Sequence, residues 1–198
     1  MTSEPRQLDV KVAAAASSHV AIRDVLFVGL QARHVAPRAT NMPLRFTVPP
    51  VEAAWRYTNN NLQILLPFRV FVDSPPVEGA EPTRVLELSV SIRIDYEIGD
   101  PAQVPEDVAA HYAGVSGFLH AWPYVRAEVQ ALTAKLGFPP LTLPLVLPGE
   151  VPSRVRLREP EAVDVTGVLA STTANAAPRT KRKPTTKKQG ATRKASER

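Results

Sequence analysis

The sequence predicts an α+β fold, a four-stranded antiparallel sheet packed on one long kinked helix. Three observations predict it. Over residues 108–136 the apolar side chains recur at steps of three or four, the spacing of one helix face. Over residues 85–98 apolar and polar side chains alternate strictly, the spacing of a strand with one face on a core and one in water. Three further runs of extended character precede these two, separated by proline- and asparagine-rich connections.

Taken in order, residues 1–18 are small and polar and read as a loose N-terminal arm. The first strand follows, with Val20, Ile22, Val25, Leu26, Phe27, Val28 and Leu30. Its apolar residues fall on both faces between positions 25 and 28, which predicts cover on both sides. One helical layer covers only one side, so the other falls to a second subunit. Leu44, Phe46 and Val48 then alternate, Pro49 and Pro50 interrupt, and Val51, Ala53, Trp55 and Tyr57 resume on the opposite parity. That is a strand with a bend or bulge. Asn59, Asn60 and Asn61 form a turn, since asparagine tolerates left-handed φ. The returning strand places Ile64, Leu66, Phe68, Val70 and Val72 on one face and Leu65 and Phe71 on the other. Pro67 inside it requires an edge position or an orientation away from the ladder.

A proline-rich loop leads to the strand over residues 85–98, with Leu86, Leu88, Val90, Ile92, Ile94, Tyr96 and Ile98 on its apolar face. Glu106 and Asp107 then open the helix, where the macrodipole favours negative charge. Its stripe is Val108, Tyr112, Val115, Leu119, Trp122, Val125, Val129, Leu132 and Leu136. Pro123 kinks it or starts a second helix. Gly137 stops it, and Pro139 and Pro140 forbid a restart. Leu141, Leu143, Leu145 and Leu147 alternate through a proline-punctuated extended segment. Val163, Val165 and Val168 carry only a weak strand signal. From Ser171 onward the composition cannot bury enough surface to fold alone. The division is an arm over 1–18, a folded domain over 19–170 and a disordered basic tail over 171–198.

The net charge of +5 conceals two unlike regions. Residues 179–198 hold nine Lys or Arg against one Glu, a net +8, which leaves −3 for the rest of the chain. The absence of cysteine excludes disulfides and fits a reducing cytosol. No apolar run reaches the roughly 18 residues of a membrane helix, and the N-terminus lacks the pattern of an export signal. The expectation is a soluble cytoplasmic protein.

Chemistry-bearing constellations are absent from the sequence. His19, His34, His111 and His120 have no partner at ligand spacing. No phosphate-binding glycine loop and no nucleophile elbow occurs. Glu87, Asp95 and Glu97 point outward along their strand. The expectation is a non-enzyme with no metal and no cofactor. Lys181, Arg182, Lys183, Lys187 and Lys188 resemble a nucleic-acid-binding arm, which acts through counterion release. An alternative reading follows, a nucleic-acid-associated protein whose folded domain is the oligomeriser and whose tail makes weak contacts. What the chain has in surplus is apolar and aromatic surface, in Trp55, Tyr57, Phe68, Phe71, Trp122, Tyr124, Phe138 and Leu141. Surface of that kind meets a partner chain or a client.

Trp122-Pro123-Tyr124-Val125-Arg126, followed by Gly137-Phe138-Pro139-Pro140-Leu141-Thr142-Leu143, resembles the SecB family of export chaperones. That family carries a Phe-Pro-Tyr-Ala-Arg-type stretch in its long helix and a Gly-Thr-Phe-Pro-Pro-Leu-Asn-Leu-type crossover about a dozen residues later. The resemblance covers residues 20–147. It implies an ATP-independent holdase assembled as a tetramer, a dimer of dimers. Its clients are unfolded precursors passed to the SecA motor or, in a similar subset, an unstable antitoxin of a toxin–antitoxin module. The crossover it implies, Phe138, Pro139, Pro140 and Leu141, is expected to bind client together with the surplus aromatics Trp55, Tyr57, Phe68 and Phe71. It implies oligomerisation through Val25, Phe27, Leu119, Trp122 and Tyr124. The sequence departs from the family pattern in three places. Pro144, Pro148 and Pro152 interrupt the second helix, the tail is basic where export chaperones end acidic, and Thr142 replaces an asparagine.

Overall fold

The computed structural model describes residues 7–36, 44–58, 60–75 and 82–158. Along the chain these form α1 (Val10–Ala16), β1 (Val20–His34), β2 (Arg45–Thr47), β3 (Val51–Thr58), β4 (Asn61–Ser74), β5 (Thr83–Ile98), α2 (Glu106–Lys135), α3 (Val151–Arg154) and β6 (Val155–Leu157). All of them lie in one unit, Met1–Glu161. The second unit, Ala162–Arg198, lies outside the described residues, and so do the basic tail and the weak strand signal at Val163, Val165 and Val168.

The sheet runs in the order β1-β5-β4-β3-β6, with β2 also pairing β4. Among the described residues it has six strands, and β6 lies parallel to β3, so the expected four antiparallel strands are corrected in two ways. The bent strand around Pro49 and Pro50 divides into β2, which pairs β4 from Asp73 to Phe71, and β3, which pairs it from Leu65 to Asn61. Pro67 falls in the stretch between, which neither β2 nor β3 pairs. The additional strand β6 forms after three prolines, where sequence periodicity is too short to show it. The hairpin at the asparagines closes with Thr58 opposite Asn61.

The inner face of the sheet is the core. Leu62, Ile64, Leu66, Phe68 and Val70 of β4 and Leu86, Leu88, Ile92 and Ile94 of β5 are fully buried. The helix α2 lies over them. Gly117 makes the close approach possible, because a Cβ there would sit 3.0 Å from Ile64 Cδ1 and 3.2 Å from Ile64 Cγ2. Phe118 stacks on Trp122 at 5.2 Å, and both rings meet Phe68, at 5.5 and 5.9 Å. The helix continues through Pro123 to Lys135, so no second helix starts there.

The α2 surface is also buried away from the sheet. Residues 7–18 are not uniformly loose: Asp9 caps α1, its Oδ1 accepting the Lys11 N–H at 2.8 Å, and Ala13, Ala16 and Leu8 are buried. α1 packs on α2, with Leu8 against Gly114, where a Cβ would stand 2.6 Å from Leu8 Cδ1. A seven-residue helix of small side chains lacks a visible apolar stripe. Alanines buried by close helix packing leave no such signature, so the sequence alone reads as an arm there.

The helix ends in a Schellman arrangement. Gly137, at φ +77, donates its N–H to Ala134 O at 3.1 Å, and Phe138 donates to Thr133 O at 2.9 Å. The left-handed residue turns the chain back along α2. The segment that follows has no regular structure of its own, and α2 side chains bond its backbone. Thr133 Oγ1 accepts the Leu141 N–H at 2.9 Å, Arg126 Nε donates to Leu143 O at 2.8 Å, and Trp122 Nε1 donates to Pro144 O at 2.9 Å.

Candidate functional site

Antiparallel register partners share a face, so β5 assigns the faces of β1. Ile22, Val25, Phe27 and Leu30 lie opposite Tyr96, Ile94, Ile92 and Val90, which are buried on the inner face. Register shifts between Ile22 and Asp24 and between Phe27 and Gly29 make this possible. Each adds a residue to β1 and resets its alternation. At the first, Asp24 Oδ1 accepts the N–H of Val25 at 2.8 Å. The run that reads as apolar on both faces is thus partly a single face, interrupted by two bulges.

The helix does not cover that face of β1. Ile22, Phe27 and Leu30 are exposed although they belong to the core side of the sheet. Phe27 meets Tyr124 edge-on at 6.3 Å, and the two are 47% and 45% exposed. Farther along, His34 lies 5.6 Å from the ring of Phe138. An apolar band therefore runs along β1 beside the C-terminal half of α2. Among the described residues β1 pairs only with β5 and forms one end of the sheet. A second exposed pair, Leu145 and Leu147, stands out from the extended segment at 74% and 66%.

The predicted client-binding residues do not form one surface. Trp55, Phe68 and Phe138 are buried in the core. Tyr57 is half-buried, and its hydroxyl donates to Val104 O at 2.8 Å. Pro139 and Pro140 are exposed and Leu141 is half-buried. Phe71 pairs with Glu87 and so faces the opposite side of the sheet, where the Arg84 guanidinium lies 3.8 Å from its ring centre. Of the residues predicted for oligomerisation, Phe27 and Tyr124 meet on the exposed band, and Val25 and Leu119 are partly buried. Trp122 is buried in the core. Sequence reasoning did not single out Ile22, Leu30, Leu145 and Leu147, because alternation alone does not say which apolar face a helix leaves bare.

One polar cluster lies between sheet and helix. Tyr96 Oη is 3.0 Å from His120 Nδ1, and Tyr112 packs edge-on to Tyr96 at 5.4 Å. Burial, and then the neighbouring Tyr112, push the Tyr96 hydroxyl far above its ordinary range. Burial lowers the His120 pKa. Tyr96 therefore stays protonated and His120 neutral near pH 7, which suits one hydrogen bond between them and gives no activated nucleophile. Among the described residues no group of His, Cys, Asp and Glu could hold a metal. Among them also, no helix is long and apolar enough to cross a membrane.

No protein-family model and no curated protein matches the sequence. Solved structures do match. A Mycobacterium tuberculosis SecB-like chaperone, solved in complex with a ChAD peptide from the HigA1 antitoxin, superposes with a TM-score of 0.59. The match covers 69% of this chain and 97% of that one at 20% identity. The fold is SecB-like. A protein of unknown function from Streptococcus agalactiae, at 13% identity, covers 64% of this chain and 97% of its own, with a TM-score of 0.31. Among the described residues the segment after Gly137 leads into a single further turn of helix, α3, four residues long.

Proposed function

We propose that the chain is an ATP-independent holdase of the SecB type. It binds unfolded apolar segments of client proteins in the cytoplasm, for export or for protection of an antitoxin. The observation that supports this reading most is the uncovered apolar band of Ile22, Phe27, Leu30 and Tyr124 on a SecB-like fold. A monomer has no use for such a band, and a chain that assembles and holds oily segments does.

The physical logic needs no nucleotide. Each apolar client side chain covered contributes about 1.5–3 kcal/mol. Several weak sites joined by one client chain then act as a strong one. The β1 end of the sheet, with Val25 and Phe27, and the helix, with Leu119, Trp122 and Tyr124, serve self-assembly into a dimer of dimers. Tyr57, Pro139, Pro140 and Leu141 take client contacts, with Trp55, Phe68 and Phe138 as the packed wall behind them. Phe71 contributes from the other face of the sheet. An antitoxin or a precursor destined for SecA is the partner class.

The test is dilution of a chemically denatured protein into buffer containing this chain and no nucleotide, followed by light scattering. Suppressed aggregation at near-equimolar subunit ratio is the expected outcome. Undiminished scattering overturns the reading.

A further inference from the structure

The first three residues of β3 do not pair with β4. The β4 register begins at Ala54, whereas Val51, Glu52 and Ala53 pair with Val155, Arg156 and Leu157 of β6. That ladder is three residues long and parallel, in a sheet whose other ladders are antiparallel. Parallel pairing is slightly weaker per residue, and a typical strand has about 5–6 residues. Two further contacts extend it. The Arg158 N–H donates to Ala53 O at 2.9 Å, and the Arg158 guanidinium ion-pairs with Glu52. The two side chains are 69% and 50% exposed, so water and salt weaken that pair.

What holds residues 148–158 is mainly aliphatic. Val151 and Val155 are buried, and Leu157 packs partly against the core. α3 packs on α2, and β6 packs on both α2 and β3. The segment fills a cleft between the long helix and the start of β3. By alternation, Val51, Ala53 and Trp55 share the buried face of that strand. For the residues it orders the segment buries few side chains, Val151 and Val155 fully and Leu157 in part.

We infer that this cleft is a strand-docking site and that residues 148–158 are its built-in placeholder. The occupant that displaces them is an extended apolar segment of unfolded polypeptide. It lies parallel to β3, with aliphatic side chains at alternate positions in the places of Val155 and Leu157. The inference rests on the holdase reading and adds where, and in which direction, a client lies. Main-chain bonds supply affinity for any extended chain, and the side-chain positions add a preference for aliphatic residues. When no client is present, the placeholder covers an edge that would otherwise pair with stray strands.

The chain contains no cysteine, so an introduced pair meets no native thiol. Glu52 and Arg156 are register partners and both are exposed. In the full chain carrying Glu52→Cys and Arg156→Cys, oxidation ties β6 to β3 and reduction frees it. The probe is a fluorescently labelled, carboxymethylated polypeptide that cannot refold. The reduced form is expected to bind it, and the oxidised form to bind about tenfold more weakly, since apparent affinity scales with the fraction of open sites. A Val155→Ser variant, with a weaker placeholder, is expected to bind several-fold more tightly than the parent. Equal binding by the oxidised and reduced forms overturns the inference and leaves the holdase reading standing. No binding by the reduced form or by the parent overturns both. A disulfide that joins two chains instead of closing one also overturns it, since β6 would then exchange between copies.

Discussion

The indole N–H of Trp122 donates to the backbone oxygen of Pro144 across 2.9 Å. The residue at the centre of the aromatic core is thus also the one that ties down the crossover. Trp122→Phe keeps the stack on Phe118 and removes the donor. The expected cost is about 0.5–1.5 kcal/mol in urea unfolding, the range for one lost hydrogen bond whose acceptor water can reach. Trp122→Ala, which also removes the ring, is expected to cost about 3–5 kcal/mol.

The two helical glycines separate by position. Gly114→Ala places a methyl group against Leu8, which is buried just before the short helix α1. The expected outcome is faster hydrogen exchange over residues 7–16 with the sheet unchanged. Gly117→Ala presses instead on Ile64, which is fully buried. The gain in helix propensity, about 1 kcal/mol, is set against overpacking of about 1–3 kcal/mol. Net destabilisation by thermal unfolding is the expected result.

Stability is expected to fall in mild acid through His120. Its folded pKa lies below the unfolded value because burial disfavours the charged ring. The unfolded chain therefore binds the proton first. The stabilising contribution is complete above the ordinary histidine pKa and is lost as the pH falls from there through the folded pKa. In His120→Phe that slope is expected to disappear from urea midpoints measured between pH 7 and 5.

Phe27→Asp combined with Tyr124→Ser removes an edge-on pair that is half-exposed in the single chain. The circular dichroism spectrum is expected to stay unchanged while the particle mass measured by light scattering drops. An unchanged mass would take these residues out of the assembly surface.

Leu145→Ser with Leu147→Ser is expected to change stability by no more than about 0.5 kcal/mol, because both side chains already face water. Aggregation suppression is expected to weaken several-fold.

The main helix, β5 and the core face of β4 are legible because each keeps one period for more than ten residues. Leu86, Leu88, Ile92 and Ile94 lie inward as alternation requires. Other elements were not legible, each for its own physical reason. Val155 and Leu157 form a strand too short for periodicity to register. Ala13 and Ala16 pack through smallness, which hydropathy ranks low. Trp55, Phe68 and Phe138 looked like spare aromatic surface because a sequence does not count how many elements converge on a side chain. They are core. Phe71 lies across the sheet from Phe68, a separation that aromatic composition does not reveal.

The two register shifts in β1 have a consequence for its company. A strand that stutters twice over its length offers a neighbour an uneven row of donors and acceptors. A bystander with a regular backbone zips along a few residues and then falls out of step. The edge is in this way guarded by backbone spacing, where its side chains are too oily to discriminate by themselves.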